Sequence, residues 1–131
     1  MNNDLLKLAI QARENSYSPY SQKKVGASLL LKNGKYFGGT NIENVSFGGT
    51  VCAERVAIWK ALSDFPGQRV TEIVVLTDQA EPWPPCGFCR QVISEFADPQ
   101  LIVHLANLQG IQKTLSFSKD LFPLGFTPNQ F

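Results

Sequence analysis

Glu72-Ile-Val-Val-Leu-Thr77 is followed by a loop carrying Pro82, Pro84 and Pro85, then by Cys86-Gly-Phe-Cys-Arg-Gln-Val-Ile-Ser-Glu-Phe96, then by Leu101-Ile-Val-His-Leu105. The β-branched centre of the first segment predicts a central strand, the last is another apolar strand, and the stretch from about Cys86 to Phe96 is predicted as a helix. Upstream, Cys52 to Leu62 carries Val56, Ala57, Ile58 and Ala61 at buried-helix spacing, with Thr50 as its expected cap and Asp64, Pro66 and Gly67 ending it. Before that, Val25 to Leu31 and Tyr36 to Thr40 flank the Asn33-Gly34 turn of a hairpin, and Asn41 to Gly49 is expected to be a loop. Leu5, Leu8, Ala9 and Ala12 share one face of a first helix over Asp4 to about Glu14, capped by Asn3. Gln112 to Phe117 is a last short strand. Helices alternating with strands in this order give an α/β fold of three layers, α/β/α, around a mixed sheet of about five strands.

The 131 residues suit one domain spanning the chain, 1–131. Twelve Lys plus Arg against eleven Asp plus Glu leave a net charge of +1, too little to hold a polyanion, so neither nucleic acid nor an anionic membrane is expected as partner. The start, Met-Asn-Asn-Asp-Leu-Leu-Lys7, lacks the basic and apolar regions of a signal peptide, and a cytoplasmic location is expected. Three cysteines cannot all pair within one chain; metal binding or reactivity suits them better.

All three fall in two motifs, Thr50-Val-Cys-Ala-Glu-Arg55 and Pro84-Pro-Cys-Gly-Phe-Cys-Arg-Gln91, each where a loop enters a predicted helix. Free backbone N–H groups and the helix dipole stabilise thiolates there. Cys86 and Cys89, three residues apart, can grip one ion with Cys52 completing the set, which leaves zinc a fourth position for water. His104, the sole histidine, is the competing fourth ligand, but alternation turns it away from Leu101, Val103 and Leu105 and no ligand motif surrounds it. Three thiolates on a dication leave a net negative charge that Arg55 is placed to offset, with Arg90 and Gln91 as weaker candidates. Glu54, two residues from a ligand, can enter the pocket without binding the metal. It would take a proton from the zinc water, deliver it to a ring nitrogen and help ammonia leave. A Cys-rich site with a non-ligand Glu and a Pro-Cys-x-x-Cys signature is the arrangement of zinc deaminases. A Cys-x-x-Cys redox pair is the alternative, though such motifs need no third cysteine beside a Glu.

With these residues in hand, the sequence resembles the small homotetrameric cytidine deaminases over nearly its whole length. Tyr17-Ser-Pro-Tyr-Ser21, Val25-Gly-Ala27, Asn41-Ile-Glu-Asn44, Asn107-Leu-Gln-Gly110 and Leu121-Phe-Pro-Leu-Gly-Phe126 accompany the two cysteine motifs in the family's order. The resemblance implies a cytidine-deaminase-like fold, one Zn2+ per subunit, and hydrolytic deamination of cytidine and deoxycytidine to uridine and deoxyuridine in pyrimidine salvage. It also implies sites at the interfaces of a homotetramer, Asn41 and Glu43 on the sugar hydroxyls, Phe47 and Ala53 beside the substrate, and Phe126 brought onto the base of a neighbouring subunit.

Two positions depart from the family's pattern. Phe47 stands where many relatives carry Tyr, and Lys23, in Tyr20-Ser-Gln-Lys-Lys-Val-Gly26, stands where relatives place an aromatic over the pyrimidine. An ammonium cannot make that flat apolar contact, so altered base selectivity is expected. The same chemistry on another aminopyrimidine nucleoside, such as a blasticidin-like antibiotic, is the alternative. Nucleic-acid editing and a non-catalytic zinc-stabilised module are the remaining readings, the first disfavoured by the near-neutral charge.

Overall fold

The computed structural model describes residues 3–128. Strands β1 (Gly26–Leu31), β2 (Tyr36–Thr40), β3 (Val70–Leu76), β4 (Ala97–Asn107) and β5 (Gly110–Ser116) form one sheet in the order β2-β1-β3-β4-β5. Only β3 and β4 run parallel; the other pairs are antiparallel. Helix α1 (Asn3–Arg13) covers one face, while α2 (Ala53–Asp64) and α3 (Gly87–Phe96) cover the other. The expected three layers and mixed five-stranded sheet are present.

The central strand shows why its sequence is apolar without a break. Ile73 and Val75 pack into the larger core with Ile58, Ile93, Val103 and Leu105, whereas Val74 and Leu76 point into the smaller core with Leu5, Ala9 and Ala106. A strand buried on both faces loses the apolar–polar alternation of a half-exposed one. Each fully buried Leu, Ile or Val contributes roughly 1.5–3 kcal/mol relative to its exposed state. Ser28, the buried polar residue of β1, donates to the carbonyl of Leu5 at 2.6 Å, which ties α1 to the sheet.

Gly34, at φ +89, makes the turn from β1 to β2, as the Asn-Gly pair requires. Farther along β2, Gly39 lets α2 lie directly on the strand. The sheet is antiparallel from β2 to β3, so the start of β1 and the ends of β2 and β3 share one edge.

Several boundaries differ from expectation. Asn3 lies inside α1 rather than capping it. Cys52, not Thr50, caps α2, and the Thr50 hydroxyl instead accepts from the amide of Asn44 at 3.1 Å. Cys86 is likewise the cap of α3. Strand β4 begins at Ala97, well before Leu101, because its pairing with β3 breaks register between Val70 and Glu72; that irregularity accommodates Pro99, which has no N–H to donate. Phe47–Gly49 forms a short 3-10 turn inside the expected loop, and Phe117–Leu121 a π-helical turn after β5. Among the described residues, no helix is long and apolar enough to cross a membrane.

Candidate active site

The sulfurs of Cys52, Cys86 and Cys89 lie within 4.8 Å of one another, those of Cys52 and Cys86 at 3.8 Å. Two sulfurs bound to zinc at about 2.3 Å in tetrahedral geometry stand about 3.8 Å apart, so the trio fits that ion. The fit comes from two helix starts meeting. Cys52 precedes α2, Cys86 precedes α3 and accepts from the Cys89 amide at 3.3 Å, and Cys89 sits buried in the first turn of α3. Unpaired amides at both N-termini favour anionic sulfur.

Arg55 donates from Nη2 to Cys52 Sγ at 3.4 Å. The Cys52 thiol is held down to about 5, first by the hydrogen bond from Cys89 and then by Arg55, against the effect of burial. Cys89 is pushed up, chiefly by its bond to Cys52 and by burial. Sulfur atoms this close cannot all carry charge unaided, and a divalent cation is what relieves them.

Beside the sulfurs opens a cleft of about 350 Å³, lined by Ser21, Lys23, Val25, Asn41, Glu43, Thr50, Val51, Cys52, Ala53, Glu54, Val75, Trp83, Pro84 and Cys86. It sits at the sheet edge defined above: Val25 precedes β1, Asn41 follows β2 and Val75 nears the end of β3. Glu54, only 5% exposed, is in the first turn of α2, and burial pushes its carboxyl up to about 7. The charge on Cys52 adds to that rise, while its own backbone amide and Arg55 oppose it. A carboxyl poised near neutrality can both take and give a proton.

Asn41 and Glu43 reach the cleft, yet both are already engaged. Asn41 Oδ1 accepts from Ser16 Oγ at 2.7 Å and from the Val25 amide at 3.0 Å, and Nδ2 donates to the Lys23 carbonyl at 2.7 Å. One N–H of that amide remains for a ligand. Glu43 accepts from the amides of Tyr20 and Ser21 at 2.9 and 3.1 Å and from the Ser21 hydroxyl, and that hydroxyl, more than the amides, holds its carboxyl below the usual value. The two side chains thus fasten the wall that carries Ser21 and Lys23.

Other expected residues lie elsewhere. Phe47 is 77% exposed outside the cleft lining, edge-on to Tyr20 with ring centroids 6.2 Å apart. Phe126 is not part of its own chain's cleft; its carbonyl accepts from Gln91 Nε2 at 2.9 Å. Gln91 therefore holds the C-terminal segment rather than a sulfur, and Arg90 does the same, donating to the carbonyls of Pro85 and Leu121, each at 2.8 Å. His104 lies on the α1 side of the sheet, with Nε2 2.6 Å from Glu72 and Nδ1 2.9 Å from Thr114, so it is no ligand of the cysteine cluster. Ser21 and Trp83 were not singled out from the sequence. The Tyr17–Ser21 motif held a signal for the first; a tryptophan between prolines carried none.

The chain as a whole has relatives among known proteins. Residues 1–105 match the family described as the cytidine and deoxycytidylate deaminase zinc-binding region, and the chain belongs to that family. Cytidine deaminase from Halalkalibacterium halodurans is 50% identical over 124 residues, covering 94% of this chain and 92% of that one. The crystal structure of cytidine deaminase from Burkholderia pseudomallei superposes with a TM-score of 0.87 at 43% identity, over 96% of this chain and 99% of the other. Blasticidin-S deaminase from Bacillus cereus is 30% identical over 135 residues, covering 95% of this chain and 93% of its own.

Proposed function

We propose that the protein is a zinc-dependent cytidine deaminase converting cytidine and deoxycytidine to the uracil nucleosides and ammonia. The observation that carries this is the buried Glu54 carboxyl on the cleft wall beside three clustered sulfurs. Cys52, Cys86 and Cys89 would hold the zinc. The ion supplies a polarised water whose pKa falls toward neutrality. Glu54 Oε accepts a proton from the attacking water, passes it to the ring nitrogen N3, and relays a second to the departing amine. Burial keeps that carboxyl from being levelled by bulk solvent. Ala53, at the first turn of α2, walls the reacting end of the base, and Asn41 and Glu43 take the sugar hydroxyls with the hydrogen-bonding capacity left over from anchoring the loop.

The enzyme works as a homotetramer in a reducing compartment. Tyr17, Phe47, Trp59, Phe88 and Phe126 all stay 49–77% exposed, and rings of this kind are suited to burial at subunit contacts. In the assembly Phe126 reaches a neighbour's base. Sedimentation equilibrium giving a monomer would remove this part.

A second reading keeps the chemistry and changes the substrate to a larger or more polar aminopyrimidine nucleoside. Lys23 on the cleft wall and the similarity to blasticidin-S deaminase favour it. Ultraviolet monitoring of cytidine, deoxycytidine and blasticidin S with protein of measured zinc content decides between them. Turnover of none of the three would discard both.

A further inference from the structure

Phe88 sits between two cysteines of the cluster, in the first turn of α3, and stays 63% exposed. Its ring faces α2. The guanidinium carbon of Arg55 lies 4.0 Å from the Phe88 centroid, and Trp59, one turn farther along α2, approaches the same group at 5.8 Å. That guanidinium also donates to Cys52 Sγ at 3.4 Å. Among the described residues no carboxylate forms a salt bridge with Arg55, and its Nε is buried without a partner. Among the described residues, sulfur and aromatic faces are what hold this cation in place.

A ring face carries negative charge density, and a planar guanidinium stacks on it in one orientation. An aliphatic side chain of similar size would cover the same area without directing the cation.

Resting on the deaminase reading above, we propose that Phe88 is a positioning residue for the reaction: with Trp59 it clamps Arg55 against Cys52. The clamp draws electron density from that sulfur, so three thiolates donate less charge to a bound metal than they otherwise would, and the metal stays a stronger Lewis acid.

The test uses the full-length holoenzyme and its cobalt(II)-substituted form. Phe88 is replaced by Leu, by Tyr and by 3,4,5-trifluorophenylalanine, which keeps the ring's shape but strips its negative face. Two quantities are read: the sulfur-to-cobalt charge-transfer band, which needs no substrate, and kcat and KM for cytidine. Phe88→Leu and the trifluoro ring should both move the band to lower energy and lower kcat about threefold to tenfold at unchanged KM, while Phe88→Tyr keeps wild-type values. A trifluoro variant with the wild-type band and kcat would overturn the proposal, as would equal losses in the Leu and Tyr variants. If the band responds as stated but the wild-type protein releases no ammonia from cytidine, the clamp stands and the deaminase reading falls.

Discussion

Gly39 and Ala57 meet backbone to backbone: a Cβ on Gly39 would stand 2.5 Å from the Ala57 amide nitrogen and 2.6 Å from the Ala53 carbonyl oxygen. Neither atom can swing aside, because both belong to α2 rather than to a flexible side chain. This contact sets the height at which α2, and with it Cys52 and Glu54, sits above the sheet.

Gly39→Ala should accordingly push α2 off β2 and destabilise the fold by about 1–3 kcal/mol, the usual cost of overpacking. Zinc affinity should fall with it, since one ligand moves relative to the other two. Urea denaturation and metal analysis of the purified variant check this; wild-type values for both would show that the strand yields instead.

Glu54→Gln keeps the shape of the side chain and removes the proton-carrying role proposed for it. The expected kcat loss is about 10²–10⁴-fold with one zinc per subunit retained. Coupled ammonia measurement and metal analysis on the same sample test it, and substantial turnover by the variant would assign proton transfer to another group.

Lys23→Phe places an aromatic ring on the cleft wall. Stacking on a pyrimidine is worth roughly 0.5–1.5 kcal/mol, so kcat/KM for cytidine should rise by up to about tenfold relative to ring-modified and more polar analogues. An unchanged ranking across the substrate panel would mean that Lys23 takes no part in base selection.

Glu43 gives a pH signature. Its folded-state pKa is lowered from 4.5, chiefly by the Ser21 hydroxyl, so the stabilisation it brings is present above that value and lost as pH falls through the lower, folded one. The difference in urea midpoint between wild type and Glu43→Gln should be constant around neutrality and shrink as pH falls below 4.5. A difference that persists unchanged at the acid end would show that the carboxylate charge contributes nothing.

Chelation should cost both activity and stability, because a bound ion would join the starts of α2 and α3 through Cys52, Cys86 and Cys89. Zinc at a thousand times its Kd stabilises by about 4 kcal/mol, visible as a rise in melting temperature on metal addition. Equal melting temperatures with and without zinc would indicate a site too weak to brace the fold.

The strands and helices were largely legible because both faces of β3 are apolar and the hairpin carries an Asn-Gly turn. The cysteine trio was legible too, since ligand spacing is local and the helix starts are marked by loop residues. What the sequence hid was three-dimensional accounting. Gln91 adjoins a ligand yet spends its amide on the Phe126 carbonyl, and Asn41 carries bonds to Ser16, Val25 and Lys23 that only the folded loop reveals. Residues 101–105 of β4 were legible, but its earlier start at Ala97 was not, because Pro99 argues against a strand unless a break in register is known. Phe88 gave no sign of its partner, as nothing in a chain's order says which ring will meet Arg55.

The bonds from Arg90 to Leu121 and from Gln91 to Phe126 make the last stretch of the chain a brace on the back of the metal-bearing helix. An affinity handle or fusion partner is therefore better attached ahead of α1, across the sheet from the cleft; cutting the chain after Leu121 would loosen the metal-bearing helix from behind and remove the Phe126 ring as well.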